Sequence, residues 1–301
     1  MDDDIRKRRE NTRSQIESND PDLTKLNIDT RNHDFIPPDG DWARDGKGIG
    51  RNEHIKELCF GSGMAGAVGR TDFEAFCAGL ACNKSIERLI VCCCQLFGGG
   101  IFNVLSRFFE QNSNLHCLAL LSGFGSSPNA MRFLSESLLR FNTLRGFECC
   151  GCKLCENDVE MLIQALAGHN NMTKIDLGGN KVGEGGVAAL AALLNSPNSS
   201  LADLQLKSCS LTDEGAAVFA DALGRNSTLK KLNLDNNGRI TTKGWSVIFT
   251  QLQNSLSLLE DLDLSGNSID DDAAILLGNT LTNNIHLKVL NLSEMNSISS
   301  V

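Results

Sequence analysis

An α/β solenoid, a row of strand–helix units stacked side by side, is the fold this sequence predicts. Three observations predict it. The first residue of an LxxLxL phrase recurs at Leu23, Ile55, Ile86, Leu115, Leu144, Met172, Leu201, Leu229, Leu259 and Leu287, at intervals of 28 to 32 residues. A fixed period of that length marks a chain built from one repeated supersecondary unit. Within each unit, apolar residues first alternate with period two and then recur at helical spacing. Between the two patterns stands a turn residue: Asn, Cys or Gly.

The elements follow in chain order. After Met1, residues 1–22 carry only Ile5 and Ile16 as large apolar residues among twelve charges. Such a composition predicts a disordered charged arm. Residues 23–54 read as an N-terminal cap with an irregular first repeat, because the first interval is stretched and Phe35, Pro37, Pro38 and Trp42 interrupt the pattern. Residues 55–301 are regular repeats, the last one incomplete. Ile55–Phe60 is a strand, and Thr71-x-x-Glu74 has the form of a capping box opening the next helix.

The unit from Met172 shows the grammar. Met172, Ile175, Leu177 and Val182 point inward, and Asn180 occupies the turn with its amide aimed at backbone groups of neighbouring coils. Gly183-Glu-Gly-Gly186 breaks the strand, and Val187–Leu194 is apolar at helical spacing before the stop Asn195-Ser-Pro197. LADLQLKSCSL from Leu201, LKKLNLDNNGRI from Leu229 and LEDLDLSGNSI from Leu259 repeat the pattern. The chain reaches Val301 only 14 residues into the tenth unit, so the reading anticipates either further chain or a covering partner at that open edge.

These residues resemble one family. A 28–29-residue LxxLxLxxN/C repeat followed by a GxxxLxxxL-type helix is similar to the leucine-rich repeats of the ribonuclease-inhibitor class. That class also occurs in Ran GTPase-activating proteins and in the sensing arms of nucleotide-binding immune receptors. The resemblance covers roughly residues 23–301. It implies an α/β leucine-rich repeat horseshoe of about ten repeats, with a concave parallel sheet and convex helices. The turn position alternates in the manner of the class, as Cys94, Cys152, Asn180, Cys209, Asn237 and Asn267, while Gly63 and Gly123 depart from it.

Composition excludes several functions. A net charge of −9 argues against nucleic acid as ligand, since phosphate recognition needs a basic surface. No run of about 18 apolar residues occurs, and the first 25 residues hold no apolar h-region, so neither a membrane nor a secretory route is expected. The expected location is the cytoplasm, with Arg6-Lys7-Arg8-Arg9 as a weak nuclear-import alternative to a solvated charge run. The NxS/T sequons at Asn83, Asn171, Asn198, Asn226 and Asn291 then read as chance.

The twelve cysteines are read as thiols. Cys94, Cys152 and Cys209 occupy the inward turn position and Cys149 a core position, which suits a small buried hydrophobe. A zinc site built from Cys92–Cys94 or from Cys149, Cys150, Cys152 and Cys155 fails, because strand alternation sends sulfurs to opposite faces. Redox sensitivity of an exposed thiol at Cys92, Cys93 or Cys150 stays open. Gly61-Ser-Gly63-Met-Ala-Gly66 matches GxGxxG, but the next helix starts too late for its N-terminus to meet a pyrophosphate, and Glu87 begins a strand that a ribose-binding acid should end. No catalytic residue, cofactor or metal is assigned, and the chain is not read as an enzyme.

Function is expected on the sheet face. Charges at the second and third positions of the phrase alternate between neighbours, as in Lys174, Asp203, Lys231 and Asp261, in Lys230, Glu260 and Lys288, and in the pairs Lys56–Glu87 and Glu57–Arg88. They read as self-neutralised. The fifth position differs. Ile90 and Ala119, joined by Cys92 and Leu121 at the seventh, form an apolar part. Glu148, Asp176 and Asp263, joined by Asp235, form an acidic part whose column holds no cation. A non-catalytic module binding a protein of basic or mixed basic-apolar surface there is the expected function. The resemblance supplies the alternative, a GTPase-activating protein of the Ran-directed kind. The partner's identity is not written in the sequence.

Overall fold

A computed structural model describes residues 3–29, 35–61, 63–64, 68–92, 100–121, 128–140, 143–253, 258–282 and 284–295, in two compact units, Met1–Gly146 and Phe147–Val301. Cys93, Cys94, Gly66 and Gly123 lie outside the described residues.

In the first unit, β1 (Lys25–Ile28), β2 (Glu57–Phe60), β3 (Arg88–Val91) and β4 (Cys117–Leu121) pair in parallel in chain order. The helices are α1 (Asp3–Glu17), α2 (Trp42–Arg51), α3 (Arg70–Leu80), α4 (Ile101–Gln111) and α5 (Pro128–Arg140). Alternation is carried through in β2 and β3, where Leu58, Phe60, Leu89 and Val91 are fully buried and the residues between them are half-exposed. Trp42, Phe60, Phe73 and Phe76 form an aromatic cluster with centroids 5.5 to 6.1 Å apart. Leu26 and Ile28 are buried as in the later repeats, and β1 with α2 makes the first strand–helix unit.

Glycine sets how closely α2 and α3 approach. A Cβ at Gly46 would lie 2.3 Å from the Phe76 carbonyl oxygen, and one at Gly50 would lie 2.1 Å from that of Gly79. The helices therefore touch backbone to backbone.

Two expectations are corrected here. Residues 3–17, expected as a disordered arm, form α1. The Arg13 guanidinium donates to Asp45 at 2.8 and 2.6 Å and to Asp39 at 2.7 and 2.7 Å, Ile16 is buried, and Arg44 pairs with Glu17 at 2.6 Å. Composition misses this because the ordering contacts come from acids 26 to 32 residues further along the chain. The basic run Arg6–Arg9 lies on this helix, with Arg9 buried. The second correction concerns α3, which starts at Arg70 after an extended Gly69 and has no side-chain cap bond. Thr71 falls inside the first turn, and Glu74 instead accepts from Arg70 at 2.9 Å.

In the second unit, which β5 (Gly146–Cys150) enters, the remaining strands are β6 (Lys174–Asp176), β7 (Asp203–Gln205), β8 (Lys231–Asn233), β9 (Asp261–Asp263) and β10 (Val289–Asn291). Strands β6 to β10 are parallel neighbours in chain order. The helices are α6 (Glu156–Leu166), α7 (Gly183–Leu194), α8 (Asp213–Arg225), α9 (Thr242–Leu252) and α10 (Asp271–Thr282). Met172, Ile175, Leu177 and Val182 are buried as expected. Helix α7 begins at Gly183, four residues before the expected Val187, so the glycine cluster belongs to its first turn. Leu292 holds the position at which Leu177, Leu206, Leu234 and Leu264 are buried, yet it is 37% exposed beside the outermost strand.

The turns explain the turn residues. Asn180 donates to the Cys149 and Leu177 carbonyls at 2.6 and 2.8 Å, and its Oδ1 accepts from the Leu154 N–H at 3.1 Å. Asn237 and Asn267 repeat the pattern, and Asn267 Oδ1 accepts from the Asn237 N–H at 2.7 Å. Cys152 and Cys209 are fully buried, and the Cys209 thiol points to the Leu177 carbonyl at 3.3 Å. The residue before each of these five turn positions is left-handed: Gly151, Gly179, Ser208, Asn236 and Gly266, with φ from 54° to 73°. Cysteine turns add a second left-handed residue, Lys153 or Ser210.

A further asparagine row went unread in the sequence. Asn52, Asn83, Asn226 and Asn284 stand three residues before a repeat start, and each Oδ1 accepts from the N–H of that first residue at 2.7 to 2.8 Å. Asn83 and Asn226 also donate from buried sites to the Ile49 and Leu194 carbonyls, so these two sequon asparagines are structural. Their regular offset from the leucine phrase is the signal that could have found them.

Candidate protein-binding face

The apolar part of the expected face lies in the first unit. Ile90, Cys92 and Leu121 are half-exposed, but Ala119 is fully buried. Ala119 stands opposite Ile90 in register, and its short side chain is wholly covered. It offers no surface to a partner. On the same face Lys56 pairs with Glu87 at 3.1 Å, and Arg88 with Glu57 at 3.6 Å, as the alternation predicted.

The acidic part lies in the second unit, and there the charges pair differently from the expectation. Glu148 is neutralised after all. Lys174 reaches it from the next strand, at 3.0 Å, although no cation stands in the column of Glu148 itself. Burial acts to lower the Lys174 pKa, but the hydrogen bond and charge of Glu148, with Asp203 and Asp176 nearby, outweigh it and leave that pKa raised. Asp235 is buried and pairs with Lys207 at 2.5 Å. The Lys230–Glu260–Lys288 set forms as expected, at 3.8 and 2.7 Å. The ladder Lys174, Asp203, Lys231 and Asp261 is in register, but among the described residues no ion pair within 4.0 Å joins its members. Asp203 instead accepts from Gln205 Nε2 at 2.6 Å.

The fifth-position column also has a structural task that sequence reasoning missed. Asp176, Asn233, Asp263 and Asn291 each accept, through Oδ1, the backbone N–H two residues on, at 2.9, 2.8, 2.9 and 3.1 Å. This Asx-turn ends the strand. Asp and Asn both have the length for it, which accounts for the residue type at these four positions of the column. Asp and Asn perform the task equally, so the charges of Asp176 and Asp263 are not needed for it. Both are half-exposed, and among the described residues neither has an ion pair within 4.0 Å.

No group of His, Cys, Asp and Glu among the described residues is arranged to hold a metal ion, and no helix among them is long and apolar enough to cross a membrane.

A parallel sheet in chain order, helices returning each strand, and asparagine or cysteine turns are the geometry of a repeat family. Its model, "Leucine Rich repeat", matches residues 168–191, 198–220, 225–249 and 255–278. The chain is a leucine-rich repeat protein of the ribonuclease-inhibitor-like class. This leucine-rich repeat chain is 31% identical over 185 residues to the ribonuclease inhibitor of Sus scrofa, covering 61% of the chain and 40% of that protein. It is 28% identical over 213 residues to "NACHT, LRR and PYD domains-containing protein 14" of Mus musculus, covering 70% of the chain and 21% of that protein. With "NACHT, LRR and PYD domains-containing protein 9" of Bos taurus the identity is 26% over 250 residues, covering 82% and 24%. The leucine-rich repeat chain thus spans less than half the length of these relatives.

Proposed function

We propose that this chain is a non-catalytic protein-interaction module whose partner docks on the sheet face, with basic groups set against Asp176 and Asp263. The observation that carries the reading is charge the fold does not require. The strand-ending bond at these positions is made by Asn233 and Asn291 without charge, and the two aspartates lie half-exposed without an ion pair among the described residues. Glu148 and Asp235 are already matched by lysines and contribute less. The similarity to a ribonuclease inhibitor supports a protein as the ligand class. Complementary charge of this kind speeds association more than it deepens affinity.

The experiment is capture of a partner from native extract, its identification by mass spectrometry, and a binding titration with D176N/D263N. The Asn side chains keep the turn and remove only the charge. The association rate should fall about tenfold at low ionic strength and lose much of its salt dependence. Wild-type binding by that variant would move the site off this column. Accelerated GTP hydrolysis by a captured GTPase would replace the reading with the activator alternative.

A further inference from the structure

The sheet face of the first unit carries two thiols in a defined relation. Cys59 in β2 and Cys92 just beyond β3 are both thiols, outside any disulfide, and half-exposed. Register sets Cys59 beside Ile90, so Cys92 lies one strand over and two residues on, on the same side of the sheet. The Cys92 N–H is fixed to the Phe60 carbonyl at 2.8 Å. A side-chain hydrogen bond joins the two sulfurs, and it takes the Cys92 thiol down to about 7, against partial burial and the charge of Asp29. Cys150 provides an internal contrast. It holds the same place in its own repeat and is also half-exposed, yet burial and the charges of Asp176 and Glu148 push it up to about 12. Position in the repeat therefore does not set the acidity of the thiol; burial and the groups around it do.

We propose that Cys59 and Cys92 form a hydroperoxide-sensitive thiol pair, with Cys92 as the attacking sulfur and Cys59 as the resolving one. The Cys92 thiolate attacks one peroxide oxygen; the S–O bond forms, the O–O bond breaks, and the leaving hydroxide (or alkoxide) takes a proton. Cys92 is then a sulfenic acid. The Cys59 sulfur attacks it, the S–S bond forms, the S–O bond breaks, and water leaves with the Cys59 proton. Two thiols are oxidised to one disulfide, and hydrogen peroxide is reduced to two waters. Diagonal positions on neighbouring strands lie about 7–8 Å apart at Cα and a disulfide spans up to about 7 Å, so closure needs rotation at Cys92 together with a small inward shift of the chain just past the end of β3. The disulfide would alter the surface next to Ile90.

The test treats the reduced full-length chain with micromolar hydrogen peroxide near pH 7, blocks remaining thiols, and maps the peptides by mass spectrometry. A Cys59–Cys92 disulfide is expected. At pH 7 about half of Cys92 is thiolate, so iodoacetamide should label it about tenfold faster than exposed Cys82, and Cys150 more slowly than either. In Cys59→Ser, Cys92 sulfenic acid should accumulate, trapped by dimedone, without disulfide. Cys92 labelling no faster than Cys82, or Cys92 oxidised only in a pair with another cysteine, would overturn the proposal. The wild-type labelling profile against pH is decisive by itself if the variant does not fold.

Discussion

Lys174 reaches back one strand to Glu148, 3.0 Å away, rather than forward to Asp203, its register partner. Glu148 is nearly enclosed, with 13% of its side chain exposed, so its charge gains more from a partner than that of an open aspartate. Double-mutant cycles with Glu148→Gln, Asp203→Asn and Lys174→Met should give a coupling of about 0.5–1 kcal/mol for Lys174–Glu148. Coupling to Asp203 should lie within error. A larger value for Asp203 would reverse the assignment.

Asn237 ties two coils together. Its amide donates to the Leu206 and Leu234 carbonyls and accepts from the N–H groups of Cys209 and Leu211, all buried. Asn237→Leu leaves those groups without a partner where water does not reach. Destabilisation of about 2–4 kcal/mol is expected in urea unfolding, since several groups lose bonds worth about 1 kcal/mol or more each. An unchanged midpoint would mean that the turn is solvated.

Alkali should destabilise the fold. Burial pushes Cys209 up to about 12, above the ordinary thiol value of about 8.5 expected in the unfolded chain. The unfolded state therefore loses its proton first. The stabilisation is complete below about pH 8.5 and is lost as pH rises toward 12, at up to about 1.4 kcal/mol per pH unit. In Cys209→Ala the decline of stability between pH 9 and 11 should be shallower. Parallel wild-type and variant curves would show that other groups govern it.

Arg13 is the clasp of α1. The guanidinium between Asp39 and Asp45 holds the Asp39 carboxyl well below the usual carboxylate range, while burial keeps Asp45 above it. Arg13→Ala leaves Asp45 buried without its cation, and loss of about 2–4 kcal/mol is expected, with rapid amide exchange along residues 3–17. Protected amides in that segment would show that Ile16 and Glu17 suffice to hold the helix.

The repeat period alone determined the architecture. Ten leucine phrases forced the parallel strands, the returning helices and the buried asparagine and cysteine turns, because each of these depends on contacts between identical positions of adjacent coils. That logic also yielded Lys56–Glu87 and Lys230–Glu260. It failed where a long side chain chose among neighbours, as Lys174 selected Glu148 and Asp235 took Lys207, and where a short one, Ala119, is buried. It failed for α1 as well, since the acids that order Arg13 are distant in sequence. Repeat register fixes where each Cα stands and which face its side chain takes. Which partner a long side chain reaches, and how much of a short one stays in water, depends on the local geometry of three or more strands, and only the tertiary structure supplies that.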